Sequence, residues 1–165
     1  MKLYYHSPIG IIEIEGDEKG ISACRFRREK ADCRQELADN QNLTADVPAP
    51  LKEAWQQLDE YFHGLRQEFS VRLILSGTEF QKKVWTELQH IPFGETRSYG
   101  EIAAACGRPG AARAVGGANN RNPAVIFVPC HRVIGADGSL VGFGAGLWRK
   151  KWLLQHEKKI LDSNR

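Results

Sequence analysis

The chain has 165 residues, enough for one large domain or two small ones, and its 42% hydrophobic and 26% charged content is ordinary for a globular protein. No apolar run approaches the roughly 20 residues that cross a bilayer, and Met1–His6 lacks the apolar core of a signal peptide, so a cytoplasmic location is expected and a membrane partner is not. The overall charge of +3 is unevenly spread: residues 1–76 carry a net −3 and residues 77–165 a net +6, and the basic half favours a polyanionic partner.

In chain order, Ile12 and Ile14 alternate with Glu13 and Glu15, which predicts a strand with one wet face. Residues 16–20 read as a turn and residues 21–26 as the returning strand of a hairpin. Residues 39–50 are polar, contain two prolines and read as a loop. From Leu51 the spacing of Leu51, Trp55, Leu58 and Phe62 predicts a helix that Gly64 ends. Phe69, Val71, Leu73 and Leu75 then alternate with polar neighbours, predicting another strand.

The character changes near Ser76. Thr78 is placed to cap a helix bearing Phe80, Val84, Leu88 and Ile91, and Pro92-Phe93-Gly94 ends it. Two short helices, 99–106 and 111–119, flank the breaker-rich turn Gly107-Arg108-Pro109-Gly110, an arrangement similar to a helix-turn-helix. The second of these helices has one long polar side chain, Arg113, among small residues. It can pack closely on a neighbour or approach a minor groove with Arg113 as a probe.

The densest chemistry lies where the apolar run Val125–Val128 meets Pro129-Cys130-His131. The run predicts a strand that ends at the proline and presents the Cys130 thiol beside an imidazole. Neighbours on a strand point to opposite faces, so Cys130 and His131 cooperate only if the chain turns there or a water bridges them. Residues 146–161 read as a helix with Leu153, Leu154, Ile160 and Leu161 apolar and Glu157 inside the stripe. A carboxylate there needs a partner, either an imidazole that it orients or a structural arginine. Asn122, before the apolar run, is placed to brace the loop.

None of the four cysteines forms a CxxC pair and no Cys/His cluster has zinc spacing, so reduced thiols and no metal are expected.

The run Pro129-Cys130-His131-Arg132-Val133 resembles the acceptor motif of the O6-alkylguanine-DNA alkyltransferases. Phe93-Gly94-Glu95, Ser98-Tyr99, Ala111 to Gly116, Asn122-Pro123, Trp152-Leu153-Leu154 and His156-Glu157 resemble the same family in the same order. The resemblance implies an α/β (α+β) fold. Residues 1–76 would form a small antiparallel sheet with helices, ribonuclease H-like, serving as a scaffold. Residues 77–165 would form a mostly helical domain with a helix-turn-helix, binding DNA and accepting the alkyl group. It implies that Cys130 takes the alkyl group from O6-methylguanine, once and irreversibly, with O4-methylthymine as a further substrate. His131 would act as base through a water, Glu157 would hold His131, and Asn122 would brace the loop. Tyr99 would turn a phosphate and protonate the leaving guanine, and Arg113 would replace the flipped base. Arg108 and Ala112 would contact DNA, while Val133 and Gly144 would read the base. Ala145 stands where relatives often have glycine, which would restrict bulky alkyl groups. The zinc of some relatives is not carried over, because Asp17 and Ser22 occupy the aligned region. No cofactor is implied. A monomer on duplex DNA, able to cluster cooperatively, is expected. A non-catalytic helix-turn-helix protein that recognises lesions or regulates transcription is the alternative; such a protein would have no need of Cys130 with Glu157.

Overall fold

The computed structural model describes residues 1–27 and 46–164, which form two compact units, Met1–Leu75 and Ser76–Arg165. Cys33 and the part of the expected loop before residue 46 lie outside the described residues.

In the first unit, β1 (Lys2–Ser7), β2 (Gly10–Asp17) and β3 (Gly20–Phe26) form an antiparallel sheet in that order. The β2–β3 hairpin is tighter than the sequence suggests, with only Glu18 and Lys19 in the turn. β1 was not anticipated, although Leu3 and Tyr5 alternate inward as a strand requires. Helix α1 (Ala49–Phe62) lies on the sheet's apolar face and buries Leu51, Ala54, Leu58, Tyr61 and Phe62. It starts before Leu51 because Pro50 is tolerated in the first turn, where its missing N–H costs nothing. Gly64 closes it at φ 75°, with Leu65 N–H donating to Glu60 O at 2.8 Å and Gly64 N–H to Tyr61 O at 3.1 Å, a Schellman cap. Tyr5 joins sheet to helix, its ring 5.3 Å from Trp55 and its hydroxyl donating to Asp59 at 3.0 Å.

The strand expected over residues 69–75 is an extended segment with one parallel bridge, Ile21 to Leu73. Its inward-outward alternation is present, but Ile21 N–H to Arg72 O and Ile74 N–H to Ile21 O, both 2.8 Å, are its ladder to β3. Gln57 pins the other end by donating to Ser70 Oγ at 2.8 Å. Alternation reports which side chains face the core; whether backbone partners continue along the edge is a tertiary matter.

In the second unit, α2 (Glu79–Gln89) begins with a capping box in which Thr78 and Gln81 satisfy each other's backbone N–H groups. α3 (Tyr99–Ala105) has the same device from Ser98 and Glu101. A turn through Gly107, at φ 76°, leads to α4 (Ala112–Asn120), completing the helix-turn-helix. Trp85 on α2 donates its indole N–H to Ala118 O on α4 at 2.9 Å, so its buried donor is satisfied by the neighbouring helix. A two-residue parallel pair, β4 (Arg97–Ser98) with β5 (Val133–Ile134), sets the start of α3 beside the chain that leaves Cys130. α5 (Leu147–Ser163) ends the fold.

The expected strand over Val125–Val128 is absent. Ile126 has φ 73°, Phe127 N–H donates to Val125 O at 2.9 Å, and Val128 N–H returns to Ala124 O at 2.9 Å. The segment is a buried turn in which Ile126, Phe127 and Val128 all face the core. A short apolar run tells only of burial, and its composition does not distinguish a core strand from a buried turn. No described helix is long and apolar enough to cross a membrane.

Candidate active site

Two successive tight turns deliver Cys130. Pro129 has φ −80° and ψ 65°, and Cys130 N–H closes an inverse γ-turn onto Val128 O at 2.8 Å. A single 3-10 turn, Cys130–Arg132, follows, closed by Arg132 N–H to Pro129 O at 3.0 Å. The chain therefore turns at the thiol, one of the two arrangements that the sequence left open. Asn122 clasps this loop: its amide donates to Val128 O at 2.8 Å and its carbonyl accepts from Ala124 N–H at 2.9 Å. Asn119 at the end of α4 donates to Cys130 O at 3.4 Å.

Cys130 is 3% exposed. Burial pushes its thiol up to about 11, while a hydrogen bond from Asn122 and the charge of Lys150 pull the other way. His131 and Glu157 are fully buried, and His131 Nε2 meets Glu157 Oε2 at 2.6 Å. Arg132 grips the same carboxylate through Nε at 2.9 Å and Nη2 at 3.0 Å, and Gly94 N–H donates to it at 3.0 Å. Both partners considered from sequence, imidazole and arginine, are thus present at once. Burial works against the Glu157 anion, but His131 and Arg132 hold its pKa well below the usual carboxylate range. Burial also lowers the His131 pKa, against the pull of Glu157. A neutral imidazole facing an ionised, acceptor-only carboxylate must carry its proton on Nε2. Nδ1 is then a lone-pair base, and it has no protein hydrogen-bond partner among the described residues.

Tyr99 begins α3 half-buried, its hydroxyl donating to Val141 O at 2.8 Å. Lys150, the first buried residue of α5, donates to the same carbonyl at 2.9 Å, and its ammonium lies 5.8 Å from the centre of the Tyr99 ring. Burial brings Lys150 down to about 8 against the influence of Cys130.

Cys130, His131, Glu157 and Asn122 form one cluster, and Tyr99 joins it through the Val141 loop. Val133 is buried on β5, Gly144 is exposed on the loop before α5, and half-buried Ala145 accepts from Arg149 at 2.8 Å. Arg113 is exposed on α4 and Ala112 is half-buried at its start. Arg108 stands apart, its guanidinium 5.2 Å over the Phe80 ring on α2. Arg132, Lys150, Asn119 and Gly94 were missed as site residues. Lys150 had a signal, since 150, 153 and 157 fall on one helical face and a lysine there must be buried. Gly94 had one too: its φ is 81°, and a Cβ would strike Leu161.

Residues 1–75 match the 6-O-methylguanine DNA methyltransferase ribonuclease-like domain, and residues 79–159 match the DNA binding domain of the same family. A methylated-DNA–protein-cysteine methyltransferase of Methanosarcina acetivorans is 48% identical over 155 residues, 93% of this chain and 95% of that protein. The crystal structure of a Mycobacterium tuberculosis O6-methylguanine methyltransferase superposes with a TM-score of 0.79 at 46% identity, covering 96% of this chain and 94% of the other. A structure of Mycobacterium tuberculosis OGT in complex with DNA gives 0.81 at 45% identity, covering 96% and 93%. With both halves matched and this identity over nearly its whole length, the chain belongs to the 6-O-methylguanine DNA methyltransferase family.

Proposed function

We propose that this protein repairs DNA by direct reversal, moving the alkyl group of O6-alkylguanine in duplex DNA onto Cys130 Sγ. The observation that carries the reading is a buried thiol at a tight turn, followed directly by an imidazole whose far nitrogen is fixed by a buried carboxylate. A resting thiol with a raised pKa needs a base, and His131 Nδ1 is the ring nitrogen left with a lone pair. Nδ1 takes the Cys130 proton through a water. The thiolate attacks the alkyl carbon, an S–C bond forms, the C–O6 bond breaks, and its electron pair leaves with guanine. The Tyr99 hydroxyl supplies a proton to the leaving base and recovers one through the water and imidazole. The thioether stays on the protein, so each molecule acts once.

The target atom lies within the base stack, and the nucleotide must be flipped out to reach a buried sulfur. Arg113 on α4 fills the gap in the stack, and Ala112 allows α4 to approach the minor groove closely. Val133 and Gly144 read the flipped base, and Arg108 holds the backbone. Residues 77–165 carry the reaction and residues 1–76 serve as scaffold. The working unit is a cytoplasmic monomer that clusters along DNA, and O4-methylthymine is a second substrate.

The test is intact mass after mixing with a duplex containing one O6-methylguanine. One methyl per protein, mapped to Cys130, is expected. An unmodified protein still bound to the lesion would instead support recognition without repair.

A further inference from the structure

We propose that a groove beside α2 holds backbone phosphates of the duplex flanking the lesion, with Lys82 and Lys83 as the contacts; this rests on the function proposed above. The groove measures about 400 Å³ and lies between Phe80, Lys82, Lys83 and Thr86 of α2 and Cys106 and Arg108 at the end of α3. Its three cations face one lining carboxylate, Glu79. No carboxylate among the described residues pairs with either lysine, and the nearby Glu87 lies 3.6 Å from His90.

The groove's other groups are neutral or already engaged. The Thr86 hydroxyl donates to Lys82 O at 2.9 Å within its own helix. Cys106 is nearly covered, and burial raises its thiol pKa, so the floor carries no charge near neutrality. Arg108 is steadied on the Phe80 ring and marks the rim. Among the described residues that line the groove, Cys106 alone is buried, so no buried charged or amide side chain converges there as it would on a small molecule. What remains is an excess of positive charge, three cations against the Glu79 carboxylate, on an open surface, which fits a passing chain of phosphates. The same turn that carries Arg108 leads directly into α4 and Arg113, all within the segment matching the family's DNA binding domain. Arg108 lines the same groove as Lys82 and Lys83, so a strand that meets α4 and Arg108 has both lysines within that groove. The contacts on α2 lie outside the helix-turn-helix itself, so they add affinity without adding sequence preference.

The experiment measures binding to an undamaged duplex between 50 and 200 mM salt, by fluorescence anisotropy, for the full chain and a Lys82→Ala/Lys83→Ala variant. Loss of two phosphate contacts lowers the slope of log affinity against log salt by about 1.8, so the variant's affinity deficit shrinks roughly twelvefold across that range. A Lys82→Glu/Lys83→Glu variant weakens binding further. A Lys19→Ala/Lys52→Ala variant, equal in charge change but in the first unit, keeps the original slope. Melting temperatures establish that all three variants are folded. An unchanged slope in the groove variant, or an equal drop in the first-unit variant, overturns the proposal. Failure of the unaltered chain to bind duplex would instead overturn the function on which it rests.

Discussion

Tyr99 and Lys150 share one acceptor, the Val141 carbonyl, at 2.8 and 2.9 Å. The carbonyl belongs to an exposed loop residue, whereas the ammonium that reaches it is buried. Lys150 therefore fixes the acceptor to which the Tyr99 hydroxyl is aimed, and its charge also acts on Cys130.

Replacing Lys150 with Met should separate stability from activity. Burial holds the folded-state pKa of Lys150 at about 8, below its unfolded value, so the buried charge costs stability below that pH. This cost fades as pH rises from 8 towards the ordinary lysine value of about 10.4. The variant should gain about 1–3 kcal/mol at pH 7. Its advantage should shrink at pH 9.5, and its transfer rate should fall on the order of tenfold as thiolate becomes scarcer. Melting curves at the two pH values and single-turnover rates check this. Equal melting temperatures with an unchanged rate would remove Lys150 from the site's electrostatics.

Glu157→Gln should lose about 3–5 kcal/mol, because Arg132 is left without its counter-charge in a buried site. The folded-state pKa of Glu157 is depressed, so its contribution is complete above the unfolded value of about 4.3 and is lost as pH falls towards the folded pKa. The unaltered protein should therefore lose stability between about pH 5 and lower values more steeply than the variant. Denaturant titrations across that window measure the difference in slope.

Cys130→Ser should abolish transfer while leaving affinity for duplex DNA within about twofold, since the side chain is covered and Ser is slightly smaller. Mass spectrometry and anisotropy report the two quantities independently. Residual methyl addition elsewhere in the chain would reassign the acceptor.

Arg113→Ala should slow reaction with an O6-methylguanine duplex far more than reaction with free O6-benzylguanine, because Arg113 is exposed on α4 and apart from the buried cluster. A loss on the order of a hundredfold on duplex is expected if the side chain offsets a few kcal/mol of unstacking. Equal losses on both substrates would point to a disturbed pocket.

Alkylated protein should melt below the unmodified form by about 1–3 kcal/mol of stability, as an added methyl group must enter a closely packed site. Comparing the two after stoichiometric reaction, at one concentration, tests it.

The helices and hairpin were legible because their signals are local: the Thr78 cap, the Gly64 stop, and the alternation of Ile12 and Ile14 with glutamates. Glu157 was legible as a charge in an apolar stripe. The Val125–Val128 turn was not, because its shape depends on Asn122 closing it from outside and on Ile126 accepting a positive φ that β-branched residues avoid. Arg132 was hidden for a related reason. It follows His131 directly, and only the 3-10 turn brings both side chains onto one carboxylate.

Among the described residues, at least four N–H donors converge on the two oxygens of Glu157, from Gly94, His131 and twice from Arg132. A carboxylate has about four lone-pair positions, so these donors already occupy its acceptor capacity. Glu157 therefore behaves as a fixed negative electrode rather than a proton store. Under the proposed reaction the proton taken from sulfur stops at the imidazole and cannot be banked deeper in the protein. Its exit is back toward the pocket, where the departing guanine is the group in need of it, so breaking the alkyl bond and discharging the base become one event.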